Sequence, residues 1–301
     1  MRENSASDAS AFAQGERVSQ GRPSELEDWL NGSVYHPLSM RLAKALIPTP
    51  VTPNMVSIVG GVAIVTAAVA YWFADNWVVL ALGLALHMSW HVFDGADGDL
   101  ARLTGRTSAR GEIIDGVCDY AGHIVLYVTL GFMLMEEIGG WAAWSLAIGA
   151  GIGRIVQAAH YEVQRRQYQY WVYGTKWLRV SDGQSDQPNG ILGGVAIYYM
   201  ALAKLLAPGG REVDHLVEQS DDEQRDALRL IIRTETIPVL RSTYLLSANF
   251  RTIVCGLSML AGSPLYFFVF EALGLTCVMA VSILTASTAT QRIQDQANNS
   301  R

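Results

Sequence analysis

Six long apolar stretches constrain this chain more than anything else in it. They lie at residues 55–74, 77–93, 117–135, 141–159, 253–270 and 273–289. Each is close to the roughly 20 residues that a helix needs to cross the hydrocarbon core of a bilayer. Composition agrees: half of the 301 residues are hydrophobic and only 17% are charged, against about 25% charged in a soluble domain. Soluble, collagen-like, disordered and disulfide-scaffold classes are excluded together. A seventh stretch, 191–207, is apolar but short and holds Lys204. Charge placement decides how it is read. The turns near Asn76, near Gly139 and at 263–272 contain no Lys or Arg, and cytoplasmic loops carry the Lys/Arg excess. If 191–207 crossed, Arg211, Arg225, Arg229, Arg233 and Arg241 would all move outside. The expectation is an all-α integral membrane protein: a six-transmembrane-helix bundle with both termini cytosolic and 191–207 interfacial or re-entrant.

The rest of the chain divides around these spans. Residues 1–25 are polar, lack the apolar core of a signal peptide, and read as a disordered cytosolic tail. Residues 26–160 hold an N-terminal amphipathic juxtamembrane helix, expected to break near Pro37 and to end at Pro48, Pro50 and Pro53, followed by spans one to four. Residues 161–250 form a long cytosolic or interfacial insertion. Its basic and aromatic start (Arg165, Tyr168, Tyr170, Trp171, Tyr173, Trp177, Arg179) suits a headgroup interface or a plain linker. Further on, Ser220-Asp221-Asp222-Glu223 reads as a capping box opening a short amphipathic helix through Ile232, with Leu228 and Ile232 on one face. Residues 251–301 carry spans five and six and a C-terminal tail. The net charge of −6 gives no reason to expect nucleic acid. Cys118, Cys255 and Cys277 form no CxxC pair.

The chemistry lies between spans two and three. Asp94 and Asp97 are spaced i, i+3, and Asp115 and Asp119 are spaced i, i+4, so each pair shares a helical face. Asp99 falls about 140° away from Asp94 and is left out of the set. Carboxylates at membrane depth are costly, roughly 2.5–3.5 kcal/mol each at a span centre, and four together repel one another. Divalent cations remove both difficulties, and an all-oxygen donor set selects hard ions such as Mg²⁺, Mn²⁺ or Ca²⁺ over Zn²⁺. Gly98 and Gly111 leave room on the acidic faces for a bulky group or for close helix packing. Arg102 adds a permanent cation, which fits an arriving anion such as a diphosphate.

The spacing D-x2-D-G-x2-A-R-x8-G-x3-D-x3-D is complete from Asp94 to Asp119, with eight fixed positions in 26 residues. It resembles the signature of the CDP-alcohol phosphotransferase (CDP-alcohol phosphatidyltransferase) family. The six-span layout and the entry segment Thr52-Pro53-Asn54 extend the similarity. The resemblance implies a membrane-embedded transferase of phospholipid biosynthesis, with its active site at the cytosolic face. It would move a substituted phosphate from a CDP-linked alcohol to an acceptor hydroxyl and release CMP, at least one of the two substrates being lipid. It implies two Mg²⁺ or Mn²⁺ ions held by Asp94, Asp97, Asp115 and Asp119. Asp119 would also be general base, Gly98, Ala101, Arg102 and Gly111 would line the CDP site, and the protein would be a homodimer. The run Gly111-Glu112-x2-Asp115-x2-Cys118-Asp119 is somewhat similar to the choline/ethanolamine branch, which implies a soluble CDP-alcohol donor and a lipid acceptor.

Further features stand beside the motif. His87 and His91 continue the acidic face of span two, and His123 that of span three. They read as an acceptor pocket deeper in the bilayer, or as a hydrogen-bonded structural group. Gly149-x3-Gly153 is a small-x3-small pattern for helix packing or dimerisation. Arg154 beside it either snorkels to headgroups or reaches a substrate phosphate. Two rival readings also place acids in membrane helices: an Asp-rich, Mg²⁺-dependent membrane prenyltransferase and a cation transporter.

Overall fold

A computed structural model describes residues 23–175 and 205–299. The expected tail lies almost wholly outside the described residues, as do Trp177, Arg179 and most of the 191–207 stretch. All regular structure among the described residues is helical, and four helices are long and apolar enough to cross a membrane: Pro53–Trp72, Trp77–Thr104, Arg110–Ile138 and Leu265–Asn299. The chain is a membrane protein.

A π-turn, Asn31–Tyr35, runs directly into α1, His36–Leu46. Pro37 does not break this helix. It sits in the first turn of the α segment, where an absent N–H costs least. The helix then ends where Pro48, Pro50 and Pro53 follow. Thr52 caps α2 (Pro53–Trp72) by accepting a hydrogen bond from Met55 N at 3.4 Å. Asn76 caps α3 (Trp77–Thr104), its Oδ1 accepting from Val78 N and Val79 N at 2.9 and 3.2 Å. Gly105, at φ +66°, ends α3 in the left-handed conformation that glycine adopts without strain. Ser108 caps α4 (Ala109–Ile138). α5 (Gly140–Tyr173) follows after Gly139, at φ +84°.

After the second described stretch begins come α6 (Gly210–Gln219), α7 (Asp222–Ser242), α8 (Ala248–Leu260), α9 (Leu265–Val269) and α10 (Leu275–Asn299). A π-segment, Phe270–Gly274, joins α9 to α10, so 265–299 is one rod. The cap of α7 sits one residue later than expected. Asp221 caps and Gln224 answers it, while Ser220 Oγ donates back to Leu216 O. The helix continues past Ile232 to Ser242.

The turn between the last two rods also differs from expectation. Residues 253–270 are not one span, because α8 stops at Leu260 and the next rod starts at Leu265. Gly262 takes φ +90°, and Ser258 Oγ closes the turn by donating to Ser263 O and accepting from Phe267 N. Glu271, which falls in the turn expected at 263–272, is buried inside the rod. It pairs with Arg251, equally buried. Gln157 of α5 joins them, accepting from Arg251 Nη2 at 3.0 Å and donating to Glu271 O at 3.1 Å.

Two cores result. The larger lies within the bundle, around Ile64, Leu126, Leu130, Cys255 and Phe268. The second is built by the far end of α5 with α6, α7 and the end of α10, around Val163, Tyr168, Trp171, Val213, Ile232 and Ile293. This corrects the headgroup-interface and linker readings of the aromatic run. Tyr168, Tyr170 and Trp171 are buried, and their polar tips are taken up by Glu25, Glu218 and Asp214. Acidic partners at the right positions let these side chains serve as core.

The same core clamps the N-terminal segment. Glu25 accepts hydrogen bonds from Tyr168 (3.0 Å) and Tyr173, and Tyr244 donates to its backbone carbonyl. Asp28 accepts from Asn31 and from Asn249 of α8. Burial alone would raise the Glu25 carboxyl, but the Tyr173 and Tyr168 hydroxyls, its own backbone N–H and nearby Arg233 together bring it below the ordinary glutamate value. A lowered value means that the ionised carboxylate stabilises the fold. The contribution is complete above the unfolded value, about 4.3, and is lost as pH falls through the lowered one. Hydrogen-exchange protection factors over residues 25–35 are expected to drop across that acid window. In Glu25→Gln they should be low at every pH.

The buried Arg251–Glu271 pair yields a second prediction. Removing one partner strands a charge inside the bundle, at a cost of about 3–5 kcal/mol. Thermal unfolding in detergent should show Arg251→Met strongly destabilised. The double variant Arg251→Met/Glu271→Leu should recover most of the loss.

Candidate active site

Helices α3 and α4 run antiparallel and are joined by only 105–108. The C-terminal third of α3 therefore faces the first turns of α4. α2 holds the pair in place. A Cβ on Gly61 would stand 3.1 Å from the carbonyl oxygen of Cys118, and one on Gly122 would stand 3.1 Å from Ile64. Only glycines let α2 and α4 approach this closely. At the other flank, a Cβ on Gly95 would stand 2.9 Å from Ser39 Cβ, so α1 packs directly on the acidic helix.

This packing brings Asp94, Asp115 and Asp119 together, with one carboxylate oxygen from each lying within 4.8 Å of the others. The three could hold a metal ion. Asp115 Oδ1 is buried and has no hydrogen-bond partner, which suits an atom meant for an ion. Asp119 Oδ1 accepts from the indole N–H of Trp90 at 2.5 Å. Asp97 lies beside the three: its Oδ2 accepts from Ser57 Oγ at 2.5 Å, and its side chain also interacts with that of Asp115. Asp99 lies outside the group and pairs with Arg102.

Three cavities reach these carboxylates. The first, about 160 Å³, lies between the starts of α2 and α4 and the end of α3. It is lined by Gly98, Ala101, Arg102 and Gly111 together with Asp97 and Asp115. The residues expected around CDP thus share one cavity. Asn54, Ser57, Arg106 and Ser108 line it too and were not foreseen. Arg102 is half-exposed at its rim, where its guanidinium lies over Gly98. Gly111 leaves an opening beside Ser108 and Asn54. The second cavity, about 520 Å³, is a mostly apolar groove between α4 and α5. Asp119, His123 and Arg154 are polar points in a wall of Ile124, Val128, Ile148, Ile152 and Ile155. The third, about 280 Å³, runs from the N-terminal segment to Asp94.

The histidines do not form a single pocket. His123 lines the second cavity and His91 the third, while His87 is buried and lines neither. They form one aromatic group with Trp90. His91 Nε2 is 3.0 Å from Thr252 Oγ1, which also lies 3.5 Å from His87 Nε2. His123 Nδ1 is 2.8 Å from Asp119 O. Arg154 does not snorkel outward. It lies over the Tyr127 ring and faces the same groove as Asp119. The two small residues beside it part ways: Gly149 has no neighbour within 4 Å, while a Cβ on Gly153 would lie 3.8 Å from Glu271 O.

Trp90 was legible by period, four residues before Asp94 on the same helical face. Ser57 was not, because α2 meets α3 only in the tertiary structure.

No curated protein matches the sequence. The sequence profile of the CDP-alcohol phosphatidyltransferase family matches residues 50–210, just over half of the chain, and this segment contains all four motif carboxylates. On that match the chain belongs to the CDP-alcohol phosphatidyltransferase family.

Proposed function

We propose that the protein transfers a substituted phosphate from a CDP-linked alcohol to an acceptor hydroxyl, releasing CMP, at the cytosolic face of a membrane. The observation that carries this reading is the first cavity. It joins Gly98, Ala101, Arg102 and Gly111 to Asp97 and Asp115 in one space beside the other two carboxylates. The basic residues support the cytosolic assignment. Arg41, Lys44, Arg102, Arg106, Arg110 and Arg165 all lie in segments flanking the carboxylate end of the rods. The alternation of α2, α3, α4, α5, α8 and the 265–299 rod supports six crossings, with 161–250 on that same side.

Asp94, Asp115 and Asp119, with Asp97 beside them, would hold two Mg²⁺ or Mn²⁺ ions. Bound ions of this kind neutralise the diphosphate and the departing CMP. Arg102 meets the diphosphate at the cavity rim. Gly98 and Gly111 let the nucleotide lie against the helix backbone. Ser57 fixes Asp97, and Trp90 fixes the rotamer of Asp119. The acceptor oxygen attacks the phosphorus that bears the alcohol, and its proton passes to the Asp119 carboxylate. The bond from that phosphorus to the bridging oxygen breaks, and CMP leaves with the electron pair. The apolar groove ending at Asp119 suits the chains of a lipid substrate, with His123 and Arg154 at its polar end. A cation transporter does not account for Arg102 and the two glycines in one cavity with the acids, and a prenyltransferase, which also binds Mg²⁺ and a diphosphate, is distinguished by its product.

Metal binding can be read without turnover. Mn²⁺ titrated into the purified protein should broaden and quench its free electron-paramagnetic signal. Asp115→Asn should weaken that binding at least tenfold, and Asp99→Asn should not. Activity is read as CMP release in mild detergent with Mg²⁺, using CDP-diacylglycerol or CDP-choline and a panel of hydroxyl acceptors. Metal-dependent release should fall by 10³-fold or more in Asp119→Asn. Pyrophosphate in place of CMP would overturn the reading in favour of prenyl transfer.

A further inference from the structure

We propose that the third cavity is the site of the small polar alcohol in this reaction. The inference rests on the transferase reading and adds a location and a chemical class to it. The cavity, about 280 Å³, is walled by the N-terminal segment, the far part of α5 and the start of α8, and it ends on Asp94. It has no lining residue in common with the cavity of Gly98 and Arg102. They end on neighbouring members of the same acidic group, Asp94 in one and Asp97 with Asp115 in the other. It meets the apolar groove only at Trp90. The cluster is thus approached through three spaces of different character: one beside the motif glycines, one apolar, and one polar.

Ser247 supplies the direct sign of a ligand. It lines this cavity, is only 5% exposed, and its hydroxyl is buried with no hydrogen-bond partner. Buried hydroxyls are rarely left unpaired, and a ligand hydroxyl or amine would satisfy this one. Other polar groups line the space: Glu27 and His36, 3.1 Å apart, with Arg165 and Gln169. The wall is fixed rather than loose, because Asp28 ties Asn31 of the N-terminal segment to Asn249 of α8.

Charge selects the alcohol. With Asp94 engaged in the metal group, the described lining holds Glu27 against one permanent cation, Arg165, which already faces Glu162 at 3.8 Å. A phosphorylated alcohol would meet no surplus positive charge there. A neutral polyol or an amino alcohol needs none, and its hydroxyls match the mixture of donors and acceptors. Glu27, His36 and Ser247 lie outside the family-matched residues 50–210. The alcohol could arrive free, as acceptor, or already joined to CDP, as donor.

The test uses the full-length protein in detergent with Mg²⁺. In one arm CDP-diacylglycerol is paired with myo-inositol, glycerol, ethanolamine or glycerol 3-phosphate. In the other, CDP-choline or CDP-ethanolamine is paired with diacylglycerol. Ser247→Val and Glu27→Gln should raise KM for the small alcohol, or for the CDP-alcohol that carries it, about tenfold, as expected for one lost hydrogen bond of roughly 1.4 kcal/mol. The lipid KM, kcat and retention of labelled CDP should not change, and Ser247→Thr should restore much of the loss. The arm that is active identifies the source. Unchanged KM in both variants, a shift in the lipid KM instead, or glycerol 3-phosphate as the best partner would overturn the proposal. Saturation-transfer NMR with the free alcohols separates the two readings. If the wild type releases no CMP, a transfer signal lost in Ser247→Val upholds the site while the transferase reading falls. Absence of that signal in a protein that also releases no CMP sinks both.

Discussion

Three carboxylates within 4.8 Å of one another, at the end of an apolar bundle, are the constraint on which the site depends. Like charges at that spacing and in low dielectric repel strongly, so the backbone must hold them there by packing elsewhere. The short 105–108 link fixes α3 against α4. The Gly61–Gly122 contact presses α2 onto α4, and the Gly95 contact seats α1 on α3. Each contact uses the absence of a side chain to bring backbones together. The residual charge is what makes a bound cation favourable, so the site and its cofactor are two sides of one electrostatic problem.

Many polar groups inside this bundle are answered by specific partners. Arg251, Glu271 and Gln157 close a network between α8, the π-segment and α5. His160 is held between Leu206 O and Ser282 Oγ. Trp90 links the histidine group to Asp119. In a medium without water, each such partner removes a penalty of several kcal/mol. Two of the exceptions are therefore informative. Asp115 Oδ1 and Ser247 Oγ are buried without partners, and both line cavities that reach the carboxylates.

The insertion after the fourth rod gains a physical role from the second core. It packs the far ends of α5 and α10 against α6 and α7, and it holds the N-terminal segment through Glu25. That segment in turn forms one wall of the cavity leading to Asp94. Helices distant in sequence from the motif thus shape one approach to it, and stability of the second core is coupled to the geometry of the site.

Sequence alone determined the elements whose signals are local. The apolar runs, the helix-ending prolines, the caps at Thr52 and Asn76, and the i, i+3 and i, i+4 pairing of the acids all follow from periodicity and capping chemistry. The grouping of Gly98, Ala101, Arg102 and Gly111 was implied by the resemblance to the family signature, and these residues line one cavity. Only tertiary structure decided what depends on meetings between distant segments. It supplied Ser57 as a partner for Asp97 beside Asp115 and divided the histidines among different spaces. It buried Glu271 against Arg251, moving the last turn to 261–264, and turned an aromatic run that resembled an interface into a core. In each case a residue's polarity was readable, but its partner lay tens to hundreds of residues away, and the partner determines whether a polar side chain is exposed, buried or free to bind.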